Sequence, residues 1–139
     1  MTESGVPGRA PSRAIPNGEA LLAAGTTNQT KLGGAPVGGP LYGFVPAIDE
    51  YLKTHLFGAI FERDNLDWQS RELATVSMLS ALPGTEAQLQ AHMRVSMNEG
   101  LTANQLRQVT QVLTDRVDAE SARRAREALA RQLATPSGR

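Results

Sequence analysis

One acid and one histidine stand out as residues whose types and spacing could do chemistry. Glu72 lies early in the apolar run "RELATVSMLSAL", and His92, one of only two histidines, follows beyond a Pro83-Gly84 break. Histidine is the side chain whose ordinary pKa lies near neutrality. A carboxylate that accepts from one ring nitrogen fixes the tautomer and makes the other nitrogen a better base. Such a pair can move a proton on or off carbon next to a carbonyl.

The two residues can meet only if the chain between them folds as an antiparallel helical hairpin. Glu72 lies about 11 residues before the turn and His92 about 8 after it, so they differ by about 5 Å along the common axis. Gln88, His92 and Ser96 fall at helical spacing with Thr85, which gives the second helix a partly polar face. The same spacing fits a structural hydrogen bond or two solvated side chains, and these alternatives remain open at this point.

Apolar residues at helical spacing predict five helices in the second part of the chain. Their predicted starts are, in order, Pro46, Asp67, Thr85, Thr102 and Asp118. The first is expected to end or bend at Gly58. Two starts carry a capping-box signature, Thr85 with Gln88 and Thr102 with Gln105. Because no alternating strand of convincing length is present, the sequence predicts an all-α protein.

The N-terminal part of the chain has a different composition. Residues 1–40 contain eight of the thirteen glycines and five of the eight prolines. This composition predicts an irregular N-terminal arm with one short helical turn at residues 19–24. The arm could be a loose tail or could wrap a neighbouring subunit. The predicted organisation is therefore an arm at 1–40, a helical domain at 41–134 and a tail at 135–139.

Composition narrows the classes of function. Lys plus Arg and Asp plus Glu each number 14, and aromatic residues make up 4% of the chain, so neither the basic field nor the stacking surface of a nucleic-acid-binding protein is present. No apolar run reaches the length of a membrane span. We therefore expect a soluble, cytoplasmic protein, although an export signal already removed would leave no trace here. With no cysteine, thiolate metal sites and cysteine nucleophiles are excluded.

The segments "RELATVSMLSAL", "EAQLQAH" and "NEGLT" together resemble the carboxymuconolactone decarboxylase family of the alkylhydroperoxidase-like superfamily. The resemblance covers about residues 41–117. It implies an alkylhydroperoxidase-like helical bundle with a central antiparallel hairpin, assembled as a homotrimer or homohexamer. It also implies an active site beside the hairpin, with Glu72 at the position of the family's acid and His92 at that of its histidine.

The sequence departs from the redox members of that superfamily at one informative place. Those members carry a Cys-x-x-Cys pair ahead of the histidine, and the matching positions here are Thr85 and Gln88. These side chains cannot form a disulfide or reduce a peroxide by thiol chemistry, which argues against a thiol peroxidase. By themselves, Thr85 and Gln88 fit either a helix cap or the wall of a pocket.

The resemblance implies a carboxy-lyase that needs no cofactor and no metal, and a role in the breakdown of aromatic compounds. The substrate would be a small carboxylated lactone or a related carbonyl compound. His92 would donate or shuttle the proton and Glu72 would orient it, while Arg71 or Arg94 could hold a carboxylate. Trp68 could wall the pocket or simply pack, and His55 fits a helix boundary or a subunit contact. The alternative is a non-catalytic oligomeric scaffold or binding protein that kept the fold.

Overall fold

The structure is a computed structural model that describes residues 7–135, and this part of the chain is helical without strands. The predicted all-α class is confirmed. The elements are α1 (Gly18–Gly33), α2 (Pro40–Phe44), α3 (Pro46–Tyr51), a π-helical segment (Leu52–Ile60), α4 (Trp68–Ala81), α5 (Glu86–Asn98), α6 (Ala103–Arg116) and α7 (Ala119–Ala134). The predicted tail lies outside the described residues except for its first residue, as do residues 1–6 of the predicted arm.

The chain divides into two compact units. In the described residues the first unit comprises 7–31 and 36–67, and the second comprises 32–35 and 68–135. The second unit contains α4 to α7, and α7 packs against each of the other three helices. Its buried apolar core consists of Val76, Leu89, Met93, Leu101, Leu106, Leu113, Ala122, Ala125, Ala128 and Leu129. The alanines of α7 allow this helix to approach its neighbours closely.

The hairpin of α4 and α5 turns at the Pro83-Gly84 break, as the sequence predicts. Helix α4 ends at Ala81, and Gly84 adopts a φ of +84°, a conformation that other residues rarely take. Ser80, the residue before Ala81, is buried. Its backbone oxygen accepts a hydrogen bond of 2.7 Å from Nε of Arg124 on α7. The hairpin is thus held against α7 by apolar packing and by a side chain that satisfies a carbonyl near the end of α4.

The two predicted capping boxes have different outcomes. At Thr102 the box is present, because the Thr102 hydroxyl accepts from the Gln105 backbone N–H and the Gln105 side chain accepts from the Thr102 N–H. At Thr85 the prediction is wrong, since the Thr85 side chain makes no cap hydrogen bond to α5. Its hydroxyl instead donates to the backbone oxygens of Leu79 and Leu82. The Thr85 backbone, with φ −111° and ψ 23°, lies outside the extended region that N-cap residues usually adopt. Its hydroxyl faces back toward the end of α4 instead of the first N–H groups of α5.

Asp118 caps α7 and gives the protein a predictable response to acid. The Ser121 backbone N–H, and then the Ser121 hydroxyl, hold the pKa of Asp118 below its ordinary value of 3.8. A carboxyl with a lowered folded-state pKa adds stability above its unfolded pKa and loses it as the pH falls through the folded value. We expect the free energy of unfolding of the wild type, relative to Asp118→Asn, to be constant near neutrality and to shrink below pH 3.8.

Denaturant unfolding of both proteins across the acid range measures this difference directly. Asparagine is the matched control because it also caps helices but does not titrate there. A difference that stays constant throughout the acid range would contradict the assignment of this cap.

Helix α1 is longer than the sequence predicts. The short turn expected at residues 19–24 is wrong in extent, because the helix continues to Gly33. The residues in the later part of α1 have low helix propensity. However, buried Asn28 donates hydrogen bonds through Nδ2 to the Phe57 backbone oxygen at 2.8 Å and to Glu62 Oε1 at 2.7 Å. Contacts distant in sequence therefore stabilise a helix that local composition disfavours. The domain boundary predicted at residue 40 stays a prediction.

The helix predicted from Pro46 to Ile60 is present, but it changes from α-helical to π-helical hydrogen bonding after Tyr51. Residues Leu52–Ile60 form a π-helical segment, and the Phe61 N–H continues its pattern with a hydrogen bond to the Leu56 oxygen, five residues back. Within the first unit this segment approaches α1 at Gly25, where a Cβ atom would lie 1.7 Å from the Lys53 backbone oxygen. The approach of the two backbones depends on the missing side chain of Gly25.

Candidate active site

Glu72 and His92 meet across the hairpin. Nδ1 of His92 lies 2.7 Å from Oε2 of Glu72, on α5 and α4 respectively. The side chain of Glu72 is 2% exposed, whereas that of His92 is 36% exposed. Packing of Val76 on α4 and of Leu89 and Met93 on α5 in the core sets the register that places the two side chains opposite each other. The acid is therefore buried behind a histidine that solvent can reach.

The contact fixes the orientation of the imidazole. A carboxylate oxygen is an acceptor, so Nδ1–H of His92 donates to Oε2 of Glu72 and the lone pair of the neutral ring resides on Nε2. Within residues 7–135, Nε2 makes no hydrogen bond. Chemically, the neutral ring can accept a proton at Nε2, and the protonated ring can donate it there, while Glu72 stabilises the cation.

Glu72→Gln tests whether the carboxylate selects the tautomer of His92. The amide keeps the volume of the acid, but it can donate to Nδ1 as well as accept from it. In the wild type we expect the ring nitrogen shifts of neutral His92 to report the Nδ1–H form, and in Glu72→Gln we expect a mixture. Nitrogen-15 NMR of the imidazoles measures this, with exposed His55 as an internal reference. Identical tautomer populations for His92 in the two proteins would contradict the role of Glu72.

The other predicted site residues belong to the two helices that carry this pair, or directly precede α5. On α4, Trp68 is half-buried one turn before Glu72, and Arg71 is half-buried beside it. On α5, Gln88 is exposed one turn before His92 and thus on the same face. Thr85 is half-buried at the start of that face, and its hydroxyl donates to the carbonyls of Leu79 and Leu82. Their predicted contacts with a substrate stay predictions.

Ser96 extends the polar face of α5 by one more turn. It is fully buried, and its hydroxyl oxygen has no hydrogen-bond partner within the described part of the chain. A buried hydroxyl without a partner is costly and uncommon in native structures. The sequence placed Ser96 on the same face as His92, but it gave no signal that the hydroxyl would lack a partner.

Arg94 lies on the other side of α5 from the imidazole of His92. Arg94 follows His92 by two residues, so it is rotated by about 200° around α5 and points to the opposite side of the helix. There it lines a cleft together with half-buried Gln90 and Gln132, two polar residues that sequence reasoning did not single out. No local pattern marks these glutamines. His55 is exposed in the π-helical segment of the first unit.

Neither a cluster of metal-ligating side chains nor a membrane-spanning helix is present among residues 7–135. Among residues 7–135, no three His, Cys, Asp or Glu side chains cluster as they would around a metal ion. Over the same residues, no helix combines the length and the apolar character needed to cross a membrane.

The fold and the pair together define a class: an all-helical protein with an acid and an imidazole facing each other across a helical hairpin. The sequence model of the carboxymuconolactone decarboxylase family matches residues 46–131, which is more than half of the chain. The protein belongs to the carboxymuconolactone decarboxylase family, and the resemblance seen in the sequence is confirmed. Comparison with curated proteins and with solved structures finds no match.

Proposed function

We propose that the protein is a cofactor-free carboxy-lyase that acts on a small carboxylated lactone or a related carbonyl compound. Membership of the carboxymuconolactone decarboxylase family supports the reaction type. The observation that carries the proposal is the 2.7 Å contact between buried Glu72 and partly exposed His92. A polar pair with one member reachable from solvent is suited to proton transfer to a bound molecule.

In the proposed reaction the substrate carboxylate leaves as carbon dioxide. The bond between the carboxylate carbon and the ring breaks, and its electron pair passes toward the lactone carbonyl as an enolate. Protonated His92 then donates the proton on Nε2 to the ring carbon, which restores the carbonyl. Solvent returns a proton to Nε2, so one carboxylate and one proton become one C–H bond and carbon dioxide. Glu72 is a positioning residue that holds Nδ1–H throughout.

The proposed substrate contacts follow the faces of the two helices. Gln88 lies one turn from His92, and Trp68 lies one turn from Glu72, so both can border a molecule that reaches Nε2. Arg71, next to Glu72, is the proposed holder of the substrate carboxylate, because a guanidinium binds a carboxylate with two parallel hydrogen bonds. Thr85 completes the proposed binding surface at the start of α5.

We also propose that the protein assembles as a homotrimer or homohexamer. In the first unit, α2 and α3 carry exposed apolar side chains, and Phe44 is 85% exposed. Other members of this set are Leu41, Ile48 and Tyr51. Where such side chains form one contiguous patch, they mark a protein–protein contact. Light scattering coupled to size-exclusion chromatography measures the state, and a monomer at all concentrations would contradict this part of the proposal.

A substrate panel tests the proposed reaction. Carboxylated lactones and quinone-like carbonyl compounds are incubated with the wild type, and carbon dioxide release and the ultraviolet spectrum are followed. We expect the wild type to release carbon dioxide from at least one carboxylated lactone, and we expect this release to require His92. Loss of carbon dioxide at equal rates with and without protein across the panel would count against a carboxy-lyase and in favour of the scaffold alternative.

A further inference from the structure

A cleft of about 670 Å³ lies on the side of α5 away from His92, entirely within the second unit. Its volume falls within the usual range for small-molecule sites. Much of its wall consists of residues with little or no side chain. The lining residues of this kind are Gly33, Gly34, Ala35, Ala87 and Ala91. The cleft exists because neither these residues nor the ends of nearby helices fill the space.

Three polar side chains in the cleft, exposed Arg94 and half-buried Gln90 and Gln132, have no partner among the described residues. The guanidinium of Arg94 makes no hydrogen bond or ion pair with any residue in 7–135. The amides of Gln90 and Gln132 are half-buried and, over the same residues, also have no hydrogen-bond partner. None of the described lining residues is acidic. Among the described lining residues, Arg94 is therefore the one charged group, and it lies next to two groups that can donate hydrogen bonds.

One wall of the cleft is fixed by a specific contact. Nδ2 of Asn98 donates to the Leu32 backbone oxygen at 2.9 Å. Gly34 follows with a φ of +77°, and a Cβ atom at Gly34 would lie 3.2 Å from the same Asn98 nitrogen. This contact and this backbone conformation hold the Gly33–Ala35 segment beside α5. The cleft is thus a formed feature of the second unit.

We infer that this cleft is a second ligand site, separate from the Glu72–His92 pair, which binds a small monocarboxylate through Arg94. A guanidinium without a partner favours a planar carboxylate, which it can hold with two parallel hydrogen bonds. Gln90 and Gln132 supply further donors, while Met97 and the alanines of α5 offer apolar contact to the body of the ligand. A ligand with a single carboxylate matches the single cationic side chain, Arg94, of the described lining.

Binding at Arg94 is independent of the proposed reaction. Arg94 and His92 point to opposite sides of α5, so a carboxylate on Arg94 is not placed beside Nε2 of the same subunit. The cleft can be occupied whether or not the protein decarboxylates a lactone. Its test is therefore a binding measurement and requires no turnover.

Benzoate is the probe, and its neutral isostere benzamide is the matched control ligand. Titration is followed by proton–nitrogen NMR of the Arg94 Nε–Hε group and the Ala91 amide. We expect saturable shifts with benzoate in the wild type, and an affinity about tenfold or more weaker in Arg94→Gln, since a charge-assisted hydrogen bond is lost. Arg116→Gln, the matched control variant, removes an exposed arginine of α6 outside the cleft and should retain the wild-type affinity.

A second variant blocks the cleft and leaves Arg94 in place. Ala87 is exposed on α5 at the cleft, and leucine is a good helix former, so Ala87→Leu fills space without disfavouring the helix. We expect it to weaken benzoate binding while circular dichroism and the melting temperature stay close to those of the wild type. Equal benzoate affinity in the wild type and Arg94→Gln, equal affinity for benzamide, or the absence of saturable shifts at tens of millimolar would each overturn the inference.

Discussion

His92→Ala is expected to lower kcat on a lactone that the wild type turns over by about 10²- to 10⁴-fold, the usual contribution of a general acid or base. Alanine removes the only group of the pair that solvent can reach, because the Glu72 side chain is 2% exposed. Steady-state kinetics measures the loss. Light scattering should give the same molar mass for the variant as for the wild type, since the change deletes a side chain and inserts nothing.

The other histidine provides the control. His55 is exposed in the π-helical segment, and His55→Ala removes an imidazole of the same chemistry from the first unit. We expect that variant to keep the wild-type kcat. If His92→Ala retained full activity, or if His55→Ala lost as much activity as His92→Ala, the proposed proton transfer through His92 would be wrong.

Gly25→Ala is expected to lower the free energy of unfolding by about 3 kcal/mol or more, because two backbones must move apart. The added Cβ would lie 1.7 Å from the Lys53 oxygen and 2.9 Å from the Gly58 nitrogen. Both neighbours are backbone atoms of the π-helical segment, so no side chain can rotate away. Denaturant unfolding measures the loss, which should appear in the first unit.

A second helical glycine provides the control, because alanine there is expected to have the opposite effect on stability. Gly43 lies in α2, and a Cβ there would meet nothing within 4 Å. Gly43→Ala should therefore leave stability unchanged or raise it by up to about 1 kcal/mol through reduced freedom of the unfolded chain. The contact with Lys53 would be disproved by a Gly25→Ala protein that is as stable as Gly43→Ala.

The hairpin geometry that allows Glu72 to meet His92 could be predicted because it follows from local rules. The Pro83-Gly84 break marks the turn, and the rise of an α-helix places the two residues at similar heights. The apolar stripe of α5 then decides which side faces inward, and buried Leu89 and Met93 confirm it. Each step uses residues that are close in sequence or on adjacent helices.

The start of α5 shows where local rules fail. Thr85 and Thr102 carry the same capping-box signature, but only Thr102 uses it. Thr102 has the extended backbone conformation usual for an N-cap residue, with φ −81° and ψ 156°, whereas Thr85 has φ −111° and ψ 23°. The hydroxyl of Thr85 donates instead to the carbonyls of Leu79 and Leu82 at the end of the preceding helix. The sequence signature describes one helix and contains nothing about the end of the preceding one.

Features that depend on distant residues could not be predicted. Helix α1 is stabilised by Asn28 contacts with residues about thirty positions later. The cleft beside Arg94 brings together Gly34, α5 and the end of α7. Small residues such as glycine and alanine have many uses, so their presence in a sequence does not indicate an empty space.

The tip of the hairpin, at Gly84, is a place where the chain can accept an insertion. At Gly84 no atom lies within 4 Å of a potential Cβ, and the alignment of acid and imidazole is set by packing deep between the helices. Doubling the length of a flexible loop costs only about 0.6 kcal/mol. A peptide tag or a fluorescent label inserted at the tip should therefore leave the distance between Glu72 and His92 unchanged, so the tip is a suitable attachment point for reporters.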